Sequence, residues 1–411
     1  MMTDKNDFRI CAMITLLVIL LAVVAPAYAG PVLAYAADVT SPKLLNSTLN
    51  PALDAAALEA AGQYGVLFDR DVQISRIITT ESGRYYVVHY QNYLPLAGGI
   101  EVLAENGTKV ANSSQAKSIL RAVAWTESIQ SLENEDIATL EIIRDDTRNI
   151  RNTVSPLANL SNSIIDNLNL KRSLNKYGIT NEYAIGLITG TVNSTNAGYE
   201  GAVILINNLN NQLNDFSNAT VEVNERLPGI ISKSKEIKKG TGYADPELQE
   251  DITHTTTDLD VMEGDISKVQ GALDNMSGVG DFLAFIQQWA TGLLAYVPLI
   301  GGSLQDYAEY LFSVAEDYQE NVLNLKGYAK NQLDNVRQEQ LKLSTVSADA
   351  SRKTAELTGS WNARQTAWAK VWIYAIAIAI LLIALPAALL VAFVYRRNLD
   401  AILKRLVEKR K

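Results

Sequence analysis

The sequence predicts a mainly helical fold: long heptad-patterned helical hairpins forming an extracellular bundle or rod, with a small N-terminal α+β module and one C-terminal transmembrane helix. Three observations carry this expectation. Apolar residues step alternately by three and four through much of residues 125–350, the spacing that a helix–helix seam requires. Short runs rich in Tyr, Val and Ile, bounded by Gly and Asn turns, occupy residues 72–110. The uncharged run Val371–Tyr395, 25 residues long, exceeds the about 20 needed to cross a bilayer core.

At the N-terminus, Lys5 and Arg9 precede the uncharged run Ile10–Ala25, which ends in Pro26 and Ala-Tyr-Ala. This pattern predicts a signal peptide over 1–29, with an alternative cleavage near 36 at a second Ala-Tyr-Ala. An uncleaved signal anchor stays open as the alternative, and either outcome places the following segment outside. The only cysteine, Cys11, lies in that run, so the rest of the chain has no disulfide or cysteine metal site. No lipobox cysteine follows the run.

Residues 38–50 read as a polar linker that opens the small α+β module, predicted over 38–120. Residues 51–62 read as a short helix, with Asn50 as cap, Pro51 in the first turn and Gly62 near the end. Strands are expected over Val72–Thr80 and Arg84–Tyr90, around a turn at Glu81-Ser82-Gly83, and over Ile100–Ala104 before the Asn106-Gly107 turn. This helix and meander is similar in pattern to small inhibitor-like and PepSY-like domains, a likeness that implies no function.

The first helical hairpin is predicted over 125–240. Its seams run through Leu140, Ile143, Thr147, Ile150, Val154, Leu157, Ser161, Ile164 and Leu168, then Ala202, Ile206, Leu209, Leu213, Phe216, Thr220, Val223, Leu227 and Ile230. Pro156 and Pro228 predict kinks or ends. The second hairpin is predicted over 245–368, with Asp245 as cap and Pro246 in first position. Its seam, Leu248, Ile252, Thr255, Leu259, Met262, Ile266, Val269, Leu273 and Met276, is the cleanest. A looser helix runs from Leu304 through Tyr318, Leu325, Val336 and Leu343. Arms of about 40–60 residues predict a rod of roughly 60–90 Å, with antiparallel packing inside one chain. Polar seam residues weaken such a core and help to fix its register.

The second hairpin contains an apolar elbow, 282–304, free of charge and punctuated by Gly292, Pro298, Gly301 and Gly302. A buried bundle end is the first expectation there. The alternative makes Phe282, Phe285, Ile286, Trp289, Leu293, Leu294 and Tyr296 a membrane or partner contact. In that reading the segment resembles the apolar Gly-rich segments of class I fusogens and α-helical pore formers.

Around the 371–395 transmembrane helix, Trp368, Trp372 and Tyr374 mark one interface, and Tyr395, Arg396 and Arg397 the other. The basic tail, 396–411, holds seven Lys or Arg against Asp400 and Glu408, so the rest of the chain carries a net charge of −14. The positive-inside rule predicts a cytoplasmic C-terminus and an external N-terminus, a single-pass protein of the cell membrane. An acidic body excludes nucleic acid as the expected partner. Candidate glycosylation sequons lie at Asn46, Asn106, Asn112, Asn159, Asn193, Asn218 and Asn275, none of them in the tail.

No nucleophile elbow, phosphate loop, dinucleotide fingerprint or zinc-protease motif occurs. His89 reads as a half-exposed strand residue and His254 as a solvated helix flank. The clusters Asp69-Arg70-Asp71 and Glu133–Asp136 lack the alternating ligands of a calcium loop and read as solvated faces. The expectation is a non-enzyme without cofactor or metal: a membrane-anchored surface protein with a structural, adhesive or partner-binding role. Its partners are the bilayer, and a protein or second copy through the helical region. The absence of cysteine outside, the sequons and the basic-tailed span resemble archaeal surface proteins in architecture. A membrane-active protein using the elbow is the alternative, and an extracellular ligand sensor is the second alternative.

Overall fold

The computed structural model describes residues 42–94, 96–168, 196–275 and 302–408, with isolated positions between 172 and 182. Among the described residues the chain is mainly helical, with seven helices and one small N-terminal sheet of four strands. The predicted signal peptide, elbow residues 282–301, the Asn193 sequon and most of the connection between the first two seams lie outside them. The described residues fall into two compact units: those up to Ala124 and from Ser351 onward, and those from Trp125 to Ala350.

In the first unit, β1 (Lys43–Leu44) pairs in parallel with β2 (Asp69–Thr80). Strands β3 (Gly83–Asn92) and β4 (Gly99–Ala104) continue it as an antiparallel meander in the order β1-β2-β3-β4. Helix α1 (Pro51–Gln63) starts on a reciprocal cap. The Asn50 side chain accepts from the Leu53 amide, and the Asp54 carboxylate accepts from the Asn50 amide. Strand alternation sends Tyr86, Val88 and Tyr90 of β3 toward Ala57, Leu58 and Ala61 of α1, closing a core with Val72, Ile74, Ile77 and Leu103. The opposite residues Tyr85 and Val87 are buried too, so β3 is covered on both faces.

Helix α2 (Ser113–Gln130) was not legible as a separate element, and β1 falls in the stretch read as linker. The signal for α2 is nevertheless present. Asn112 accepts from the Ser114 and Gln115 amides as a cap, and Ala116, Ile119, Leu120 and Val123 follow at helical spacing and are buried.

The second unit contains α3 (Asn134–Leu168), α4 (Asn196–Lys238), α5 (Pro246–Asp274) and α6 (Gly302–Gln365) as far as Ala350. Pairings show that neighbours run antiparallel, because residue numbers rise on one helix as they fall on the next. Ser161 meets Asn210 and Glu141 meets Lys235 between α3 and α4. Arg226 meets Asp258 and Lys233 meets Glu247 between α4 and α5. Asp274 meets Lys326 and Glu263 meets Arg337 between α5 and α6. Thr147 accepts from Gln332 between α3 and α6, which closes the ring of four. The ion pairs are surface features that contribute little individually; the stabilisation lies in the seams. Leu140 through Ile164, Ile206 through Ile230 and Leu248 through Leu273 are buried at every seam position, and all contribute to one core with α6.

The polar seam residues are mostly satisfied locally. Ser161 donates to the Leu157 carbonyl, Thr220 to the Ser217 carbonyl and Thr147 to the Ile143 carbonyl, as Ser and Thr do inside helices. Pro156 and Pro228 end neither helix; both sit on exposed positions within one.

Helix α7 (Ala367–Glu408) contains the uncharged run and passes through Pro386 into the basic tail without a break. It is long and apolar enough to span a membrane.

Candidate functional site

The densest polar constellation in the first unit surrounds Arg364, in the last turn of α6. Its guanidinium is buried and forms a two-pronged pair with Asp69, Nη1 to Oδ1 at 3.0 Å and Nη2 to Oδ2 at 2.7 Å. Nη2 also donates to the Tyr64 carbonyl at 2.9 Å. The guanidinium carbon lies 3.7 Å from the centre of the Tyr90 ring, close enough for cation–π attraction in a desolvated setting. Asp69 accepts further hydrogen bonds from the Val66 amide and the Asn92 side chain. A buried carboxylate with this many donors and a forked cationic partner meets the conditions under which a buried ion pair is tolerated.

Each element contributes for a local reason. Asp69 is the first residue of β2, directed inward, while Arg70 next to it points out. The solvated-face reading of Asp69-Arg70-Asp71 is therefore corrected at Asp69, whose charge is neutralised by a residue 295 positions away. The Glu133–Asp136 reading is corrected likewise. Asp136 is buried and accepts from the Glu133 amide at 2.8 Å, capping the start of α3.

Gly99 lets the strand approach α6. At its φ of +154° a Cβ would stand 2.4 Å from the Ser360 carbonyl oxygen and 2.9 Å from the Arg364 Cβ. Gly99→Ala is expected to cost about 1–3 kcal/mol through this overlap, read as a lowered unfolding midpoint of the sheet. Equal stability of the variant would show that α6 is not held against β4.

One residue further along α6, Gln365 donates to both oxygens of the buried Glu101 at 3.1 and 3.0 Å. Lys109 donates to Glu101 at 2.8 Å and to the Gln365 side-chain oxygen at 2.9 Å. Burial raises the Tyr90 hydroxyl well above its ordinary value, against the pull of Arg364, so it stays protonated and donates to the Ala61 carbonyl. Lys117 lies over the Trp361 ring one turn earlier on α6.

In this constellation each charged group is engaged by a partner. His89 is half-buried on β3, its imidazole pushed below the ordinary range by desolvation. His254 is exposed beside Glu250. Among the described residues no group of three or more His, Cys, Asp or Glu is arranged around a cation position. An open groove of about 470 Å³ at the β2–β3 turn includes Arg84, whose guanidinium is already paired with buried Asp54 at 2.7 Å.

The residues predicted to anchor the chain lie along α7. Trp368 and Trp372 are exposed on its first turns, and Tyr395, Arg396 and Arg397 are exposed beyond the run. Asn106, Asn112, Asn159, Asn218 and Asn275 are exposed. Asn46 differs, since its side chain donates to the Thr79 carbonyl and accepts from the Thr79 amide. Comparison with protein-family models, curated proteins and solved structures returns no match.

Proposed function

We propose that the chain is a single-pass membrane-anchored surface protein whose helical region is displayed outside in a structural, adhesive or partner-binding role. The observation that carries this reading is α7. Every side chain from Leu381 to Asp400 is exposed, including Leu382, Leu385, Leu389, Val391 and Phe393. Each large apolar side chain left in water forgoes about 1.5–3 kcal/mol of burial, so this helix calls for an apolar solvent. The interfacial Trp residues at one end and Arg396-Arg397 at the other support an orientation with the C-terminus cytoplasmic.

The clasp around Arg364 gives the anchor a mechanical role in this reading. Arg364 and Gln365 end α6 one residue before α7 begins, so the sheet grips the chain where it would emerge from the bilayer. The helical unit, fed by the same α6, is the part left to meet a protein partner or a second copy.

The test is topology in intact producing cells, in a Cys11→Ser background labelled with a membrane-impermeant maleimide. Ser82→Cys is expected to label in intact cells and Lys411→Cys only after lysis. The reverse pattern, or labelling of both in intact cells, overturns the reading.

A further inference from the structure

Two loops at one end of the sheet cover the beginning of α7. Val66 and Leu67, before β2, and Leu94 and Ala97, after β3, pack on Ala367 and Val371. Val371 is only 2% exposed although it opens the uncharged run, so the module embraces the helix at the level where that run begins.

The same two loops turn large apolar side chains outward. Phe68 is 43% exposed, Leu96 55% and Tyr93 70%. The loops are tied together, with the Tyr93 amide donating to the Phe68 carbonyl at 3.0 Å. Phe68 is also the one non-glycine residue at positive φ, +71°, among the described residues. A backbone conformation that disfavours a bulky side chain thus directs an aromatic ring away from the core. Trp368 and Trp372, one helical turn apart around Val371, are exposed at this same level. Arg70 reaches over the Tyr93 ring, 5.8 Å from its centre, which puts a cation at the edge of the apolar patch.

We propose that Phe68, Tyr93 and Leu96 form a lipid-docking surface that sits in the headgroup–acyl boundary of the leaflet entered by α7. The proposal rests on the reading of α7 as a membrane span and adds a second, independent contact with the bilayer. Aromatic residues with a polar tip favour this boundary, and a neighbouring Arg suits its phosphates. Continuity decides the occupant: the loops that carry the patch pack on Ala367 and Val371, beside Trp368 and Trp372 in the chain, so lipid surrounding the helix at that level also meets the loops. Docking there would fix the tilt of the module on the bilayer.

The test uses the full chain in a Cys11→Ser background, reconstituted in phosphatidylcholine–phosphatidylglycerol vesicles and labelled with an environment-sensitive dye at single cysteines. Tyr93→Cys and Leu96→Cys are expected to emit blue-shifted light, to lose intensity with shallow spin-labelled lipid and to resist aqueous iodide. Ser82→Cys, at the opposite end of the hairpin, should respond to iodide alone. Ile380→Cys should be quenched by deep spin-labelled lipid. Position 93 behaving like 82 while 380 remains lipid-quenched overturns the docking surface and leaves the span standing. Shielding of position 93 from both quenchers points to a protein cover and overturns it too. Loss of lipid quenching at 380 removes the span and the docking surface together.

Discussion

Replacing Arg364 by methionine is expected to cost the first unit about 3–5 kcal/mol, because it leaves the Asp69 carboxylate buried without its cation. Asp69→Leu should cost a similar amount for the converse reason, stranding the guanidinium over Tyr90. The double variant should be less damaged than the sum of the two by about 1–3 kcal/mol, since neither charge is then left alone. Recovery stays partial, because the Val66 amide, the Asn92 side chain and the Tyr64 carbonyl lose their partners in the double variant as well. Hydrogen exchange at the β2 and β3 amides in the detergent-solubilised protein measures all three variants. Strictly additive costs would show that the two charges do not depend on one another. Arg364→Lys separates charge from geometry, since an ammonium cannot fill both prongs of the pair and stack on the ring. It should retain a minor part of the lost stability.

The helical seams and the apolar run were legible because their information is local and repetitive. Thr147 and Ser161 could be placed in the seam of α3 from their neighbours alone, and both are buried there. The hairpin from Thr80 to Gly83 was legible for the same reason, through a turn between two β-favouring runs. The clasp was not. Asp69 and Arg364 are 295 residues apart, and in its own segment each is one charged residue among polar ones. Strand alternation leaves the inward side of β2 undecided at its first residue. The tandem Gly98-Gly99 was the available hint, marking a backbone that something approaches closely. Helix α2 was missed because its cap and apolar face lie between two stronger signals, the meander before it and the seams after it. The two-residue β1 carries too little pattern to register, and its pairing with β2 depends on the rest of the sheet.

Raising the pH from about 5 to about 8 is expected to weaken the helical unit through Glu339, on the inner face of α6. This carboxyl is fully buried beside seam residues Val336 and Leu343, and neither oxygen has a hydrogen-bond partner among the described residues. Burial pushes its pKa up to about 8, the nearby carboxylate of Asp136 pushes in the same direction, and Lys342 opposes both. The Lys342 ammonium is engaged with Asp136 at 3.4 Å, which limits what it offers Glu339. The folded state therefore holds a proton that the unfolded chain releases near the ordinary glutamate value. Between those two values the folded state binds more protons, so stability falls with rising pH, by about 1.4 kcal/mol per unit. Below the unfolded value both states are protonated, and above about 8 both are ionised, so the dependence flattens at each end. Glu339→Leu removes the titrating group and fills the position with an apolar side chain at a seam. It should leave stability near pH 5 little changed and raise it by several kcal/mol at pH 8, removing the slope between them. Thermal unfolding followed by circular dichroism at a series of pH values measures this directly. A wild-type slope that persists in Glu339→Leu would assign the proton to another group.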